Sequence, residues 1–119
     1  HLDFLDFEFS DDAQGHGSFD AMASATPAQL PALEREILRV LEWAEEHFPG
    51  ARGPLEAGGE WDAELQGTHE IATPLHVHPQ DGRLVLEPRG TGFPRVTLSL
   101  TISGTAGFCE AFREALAAG

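Results

Sequence analysis

The chain has 119 residues, 41% of them hydrophobic, with eight Phe and two Trp. That is enough apolar material for a single domain over 1–119 with one core, and too much for a disordered chain. The net charge is −13, which argues against nucleic acid and anionic membrane as partners and favours a protein partner of basic character.

All seven basic residues are Arg, and Lys, Asn and Tyr are absent. Those three residue types have AT-rich codons, so the composition points to a GC-rich bacterial genome. No apolar run reaches the length of a bilayer span, and none follows a basic start, so neither a transmembrane helix nor a signal peptide is expected. The lone Cys109 forms no internal disulfide, which points to a cytoplasmic protein. The charge is uneven: residues 1–70 hold sixteen acids against three Arg, and residues 71–119 hold four of each.

In chain order, Leu2 to Phe9 alternates, with Leu5, Phe7 and Phe9 on one face and Asp6 and Glu8 on the other, which predicts a half-buried strand. Ser10 to Gly17 is turn-rich. Phe19, Ala21, Ala23 and Ala25 alternate again and predict the second strand of a hairpin. Thr26-Pro27-Ala28-Gln29 has the pattern of a helix start. Leu30, Leu33, Ile37, Leu41, Ala44 and Phe48 then form an apolar stripe that ends at Pro49-Gly50. Pro31 predicts an irregular first turn. Glu34, Glu36, Glu42, Glu45 and Glu46 are expected in water, and Leu38 and Val40 on the helix flanks.

After a loop over 51–59, Trp61, Ala63 and Leu65 predict a strand's inner face, with a bulge at Gly67. Residues 73–82, broken by Pro74 and Pro79, read as irregular up to an Asp81-Gly82 turn. Strands follow over Arg83 to Glu87 and Arg95 to Ser103. A last helix, capped by Ser103 or Thr105, carries Phe108, Ala111, Phe112, Ala115 and Leu116 inward. The expected fold is α+β: a five-stranded, mainly antiparallel sheet in the order strand-strand-helix-strand-strand-strand-helix, with both helices on one face.

Among residues that could carry chemistry, His69, His76 and His78 are the candidate metal ligands, because residues two apart on an extended segment point the same way. The H-x-H step of a cupin site is not completed here, since Gly82 and Arg83 stand where such a site has its Glu. His16, between two glycines, reads as surface decoration. Asp11, Asp12 and Asp20 lack calcium-loop spacing. Cys109 reads as a small buried hydrophobe. No nucleophile elbow, phosphate loop, dinucleotide fingerprint or nucleic-acid motif is present.

The reading that results is a small acidic protein-binding module without catalysis, as an adaptor, immunity-like or chaperone-like protein, monomeric or homodimeric and with no cofactor expected. The alternative is a metal-binding protein or metal-dependent enzyme built on His69, His76 and His78. The expected binding surface is the open sheet face, with Glu60, Asp62 and Glu64 near Arg83 or Arg95, together with Trp43. Trp43 lies off the helix stripe. Either the loop over 51–59 covers it through Pro54 and Leu55, or it anchors a dimer or partner interface.

Overall fold

A computed structural model describes residues 2–118. The elements are β1 (Glu8–Asp11), β2 (Gly17–Ala25), α1 (Leu30–His47), a 3₁₀ turn (Leu55–Ala57), β3 (Trp61–Ala72), β4 (Leu75–Gln80), β5 (Arg83–Pro88), β6 (Phe93–Gly104) and α2 (Ala106–Ala118). The class is α+β, with two helices and antiparallel sheets. Instead of one five-stranded sheet, β1-β2-β6-β3 form a four-stranded sheet, and β4 and β5 form a separate two-stranded ribbon. Both β2 and β3 run antiparallel to β6, which lies between them, so β2-α1-β3 is a split β-α-β unit.

Both helices bury their apolar sides on one face of this sheet. Phe19, Ala21, Leu100, Ile102 and Trp61 meet Leu33, Ile37, Val40 and Ala44 of α1 and Phe108, Cys109 and Phe112 of α2. Gly17 and Gly104 pair directly across β2 and β6. A Cβ on Gly104 would stand 2.3 Å from the Phe108 ring, and one on Gly17 would stand 2.8 Å from Cys109 Sγ. The two glycines therefore let α2 rest on bare sheet backbone. Trp61 is 1% exposed, stacks on Phe108 at 5.9 Å and donates its indole N–H to the Phe48 carbonyl at 3.4 Å.

Several expectations are corrected. The alternation from Leu2 becomes a strand only at Glu8. Before it, the amides of Asp3, Phe4 and Leu5 donate to the Glu36 carboxylate at 2.7–3.1 Å, so they have no ladder to join. Glu36 is thus buried, at 4% exposure, and does not face water. The helix starts at Leu30, later than the Thr26 cap implies. Gln29 Oε1 still accepts the Thr26 N–H at 3.1 Å, which is one arm of a capping box. The later start places Pro31 in the first turn, where its missing N–H costs nothing. The stripe is rotated as well: Val40 is buried, while Leu41 and Phe48 are half-buried.

Residues 75–80 are not irregular but form β4, with Pro79 tolerated because a two-stranded ribbon consists only of edges. The ladder runs unbroken through Gly67, opposite Leu98, so there is no bulge there. The Asp81-Gly82 turn is present, with φ of 53° and 74°, the left-handed pair that a two-residue hairpin needs. The second helix expectation holds, and Thr105 Oγ1 accepts the Phe108 N–H at 3.4 Å.

Candidate interaction surface

The β3–β6 ladder has twelve residue pairs, from Trp61↔Gly104 to Ala72↔Phe93, whereas β2 accompanies β6 only as far as Ala25↔Val96. Beyond that pair, β3 and β6 continue as two strands alone. The Arg89 N–H donates to the Pro74 carbonyl at 2.8 Å, and the β4–β5 ribbon carries on outward. Residues 70–95 thus form an arm that makes the molecule 60 Å long against 32 and 26 Å across.

This arm is amphipathic. Leu75, Val77 and Pro79 pair with Pro88, Leu86 and Leu84, so one face is wholly apolar; the other carries His76 opposite Glu87, His78 opposite Val85 and Gln80 opposite Arg83. In strand alternation Leu65 and Ile71 stand in phase with Trp61 and Ala63, the helix-facing positions of β3. The face that α1 and α2 cover at Trp61 runs on along β3 with no helix over Leu65 and Ile71. Between 45% and 65% of the surface of Leu65, Ile71, Leu75, Val77, Leu84 and Leu86 is open.

The arm is also electrically neutral. It holds Glu70, Asp81 and Glu87 against Arg83, Arg89 and Arg95, while the rest of the chain has seventeen acids and four arginines and so carries the entire −13. The sequence contained the alternation over Arg83 to Glu87 but not its partner strand, because the two prolines masked β4. Apolar residues at alternate positions on both sides of Asp81-Gly82, Leu75, Val77 and Pro79 before it and Leu84 and Leu86 after it, are the signal that marks the hairpin.

The sequence-derived candidates are scattered. Glu60 lies just before β3; Asp62 and Glu64 point from β3 to the sheet face without helices. The cation beside them is neither Arg83 nor Arg95 but Arg52, whose Nε donates to Asp62 Oδ1 at 3.3 Å and whose Nη2 donates to the Ala63 carbonyl at 3.2 Å. Arg83 stands at the tip of the arm, outside the four-stranded sheet, and Arg95 pairs with Glu70 at its base. That open face also carries a hydroxyl ladder, with Ser24 on Thr97 at 2.6 Å and Thr101 donating to Asp20 at 2.6 Å, and the exposed Met22 opposite Ser99.

Trp43 is half-buried, and its cover is not the loop over 51–59. That loop binds the start of β3, where the Gly53 N–H donates to the Trp61 carbonyl at 2.9 Å. Trp43 instead stacks on His47 at 4.6 Å and packs against Phe112 at 5.4 Å, so the second helix shields it. It lines a 790 Å³ groove with Phe7, Phe112, Leu116, Arg39 and Arg113, and the Arg113 guanidinium lies 4.8 Å from the Phe9 ring centroid.

The histidines do not converge. His69 sits opposite Val96 on the β3–β6 ladder, while His76 and His78 lie on β4 with ring centroids 5.1 Å apart. Among the described residues no group of three or more His, Cys, Asp or Glu side chains is placed to hold a metal ion. Cys109 is buried and its thiol donates to the Gly104 carbonyl at 3.5 Å; desolvation pushes its pKa above 9.0, the opposite of what a nucleophile needs. Among the described residues no helix is long and apolar enough to cross a membrane. In comparisons with family models, curated proteins and solved structures, nothing matches this chain.

Proposed function

We propose that the protein works by binding another protein chain rather than by catalysis, and that residues 70–95 are its binding element. One observation supports this reading above the others: a neutral, projecting arm keeps five large apolar side chains, Ile71, Leu75, Val77, Leu84 and Leu86, 45–65% open, the last four together on one face of its ribbon. A two-stranded hairpin is marginal in water by itself, and contiguous exposed apolar patches of this kind mark interaction sites. The acidic body keeps the molecule soluble while the arm remains free of net charge.

A photo-reactive residue at position 77 tests the proposal against the same probe at Glu42, which lies on the exposed side of α1. Discrete protein adducts are expected from position 77 and not from position 42. Equal labelling from both positions, or none from the arm, overturns the proposal.

A further inference from the structure

We propose that the arm's apolar face is covered by the arm of a second copy, face to face about a two-fold axis perpendicular to the ribbon, with the two acidic bodies at opposite ends. This rests on residues 70–95 being the binding element and names its partner.

The area fits. Five side chains of the arm left 45–65% open expose on the order of 300–600 Å² of apolar surface. A stable interface of standard size takes about 800 Å² from each partner, a little over half of it apolar. The face is also self-complementary, as an isologous contact requires. Leu75, Val77 and Pro79 on one strand and Leu84, Leu86 and Pro88 on the other form three matched apolar rows. A second ribbon laid antiparallel across these rows meets apolar side chains along its whole length.

Charge selects both the partner and the orientation. The arm has three acids and three arginines and the body has all of the −13. A like-charged copy can therefore approach closely only through the arm, and a basic partner would gain nothing there. Of the two isologous arrangements, parallel arms would set the two bodies side by side in mutual repulsion. Antiparallel arms place them at opposite ends of a particle longer than one 60 Å molecule, several times the roughly 8 Å screening length at physiological salt.

The test is the mass and shape of the intact protein by sedimentation equilibrium and solution scattering across a concentration series, at low and high salt. The expected result is twice 12.8 kDa, a maximum dimension clearly beyond 60 Å, and a dimer that salt leaves intact or strengthens. The double substitution Val77→Asp, Leu86→Asp should weaken the dimer roughly 100-fold or more with thermal unfolding of the body unchanged, whereas Trp43→Ser should leave the dimer in place. A dimer that survives the double substitution, dissociates in high salt, or is no longer than the monomer overturns the proposal. If the protein stays monomeric while position 77 labels a different chain, the self-pairing fails and the arm remains the binding element. If it stays monomeric and position 77 labels nothing, both fail.

Discussion

Glu36 shows what a single residue decides in this fold. It falls three residues after Leu33 and four before Val40 and so lies on the buried side of the helix, whereas a stripe through Leu33, Ile37 and Leu41 leaves it off the apolar face and in water. The carboxylate is instead the anchor of the N-terminal segment: Oε2 accepts from Asp3 and Phe4, and Oε1 accepts from Phe4 and Leu5. Removing it leaves three amides without their acceptor and releases Leu5 from the core. Glu36→Ala should cost about 2–4 kcal/mol in denaturant unfolding, since each unpaired buried donor costs roughly 1–3 kcal/mol and part of the segment can rehydrate. Glu36→Gln should recover only part of this, because its amide group turns a donor towards donors. A loss below about 0.5 kcal/mol would show that the segment is held by its apolar contacts alone.

Cys109 yields a prediction that the composition makes unusually clean. The chain has no Lys and no Tyr, so above about pH 8.5 and below the range of Arg its thiol is the only side chain that titrates. Burial raises its folded pKa above 9.0. The unfolded chain therefore loses this proton first, and the stability linked to the thiol is complete below the unfolded pKa and lost as pH rises through the folded one. Stability should fall as pH rises above about 9, and Cys109→Ala should flatten that fall while costing some packing at neutral pH. An unchanged alkaline slope in the variant would mean that the thiol ionises freely in the native state.

At the scale of elements, alternation and stripe were legible wherever a side chain alone sets burial. Trp61 and Ala63, Leu100 and Ile102, and Phe108 and Phe112 all stand on the inner face that their spacing implies. Legibility failed where a second element competes for the same surface. The α1 stripe is rotated towards Val40 because α2, seated on the Gly17–Gly104 pair, presents Phe108 and Phe112 to its flank, and no local pattern in α1 records that neighbour. The same rotation separates two chemically identical substitutions. Leu33 is 0% exposed, so Leu33→Ala should cost about 2–5 kcal/mol. Leu41 is only half-buried, so Leu41→Ala should cost clearly less. Equal losses in thermal or denaturant unfolding would restore the original helical phase.

The whole molecule divides into a body that folds and an arm that contributes nothing to its core. The buried core residues run from Leu5 to Trp61 and from Leu100 to Phe112, and none lies between 62 and 99. The sequence held the charge side of this division in its neutral second half, but not the shape, because whether a third strand accompanies β3 and β6 depends on how far β2 extends. His69 pairs with Val96, and β2 ends its pairing with β6 at that same Val96. Replacing residues 70–95 with an Asn-Gly turn therefore keeps every β2–β6 pair and joins two residues that already face each other across a ladder, the geometry a two-residue hairpin closes. The shortened chain should fold, with a thermal midpoint within a few degrees of the intact protein, since the loss removes little buried apolar area and the shorter connection lowers closure entropy. It should also gain solubility, because the deleted segment holds most of the exposed apolar surface and none of the net charge. Failure of the shortened chain to fold would place the arm within the folding unit and remove the basis for treating it as a separate binding element.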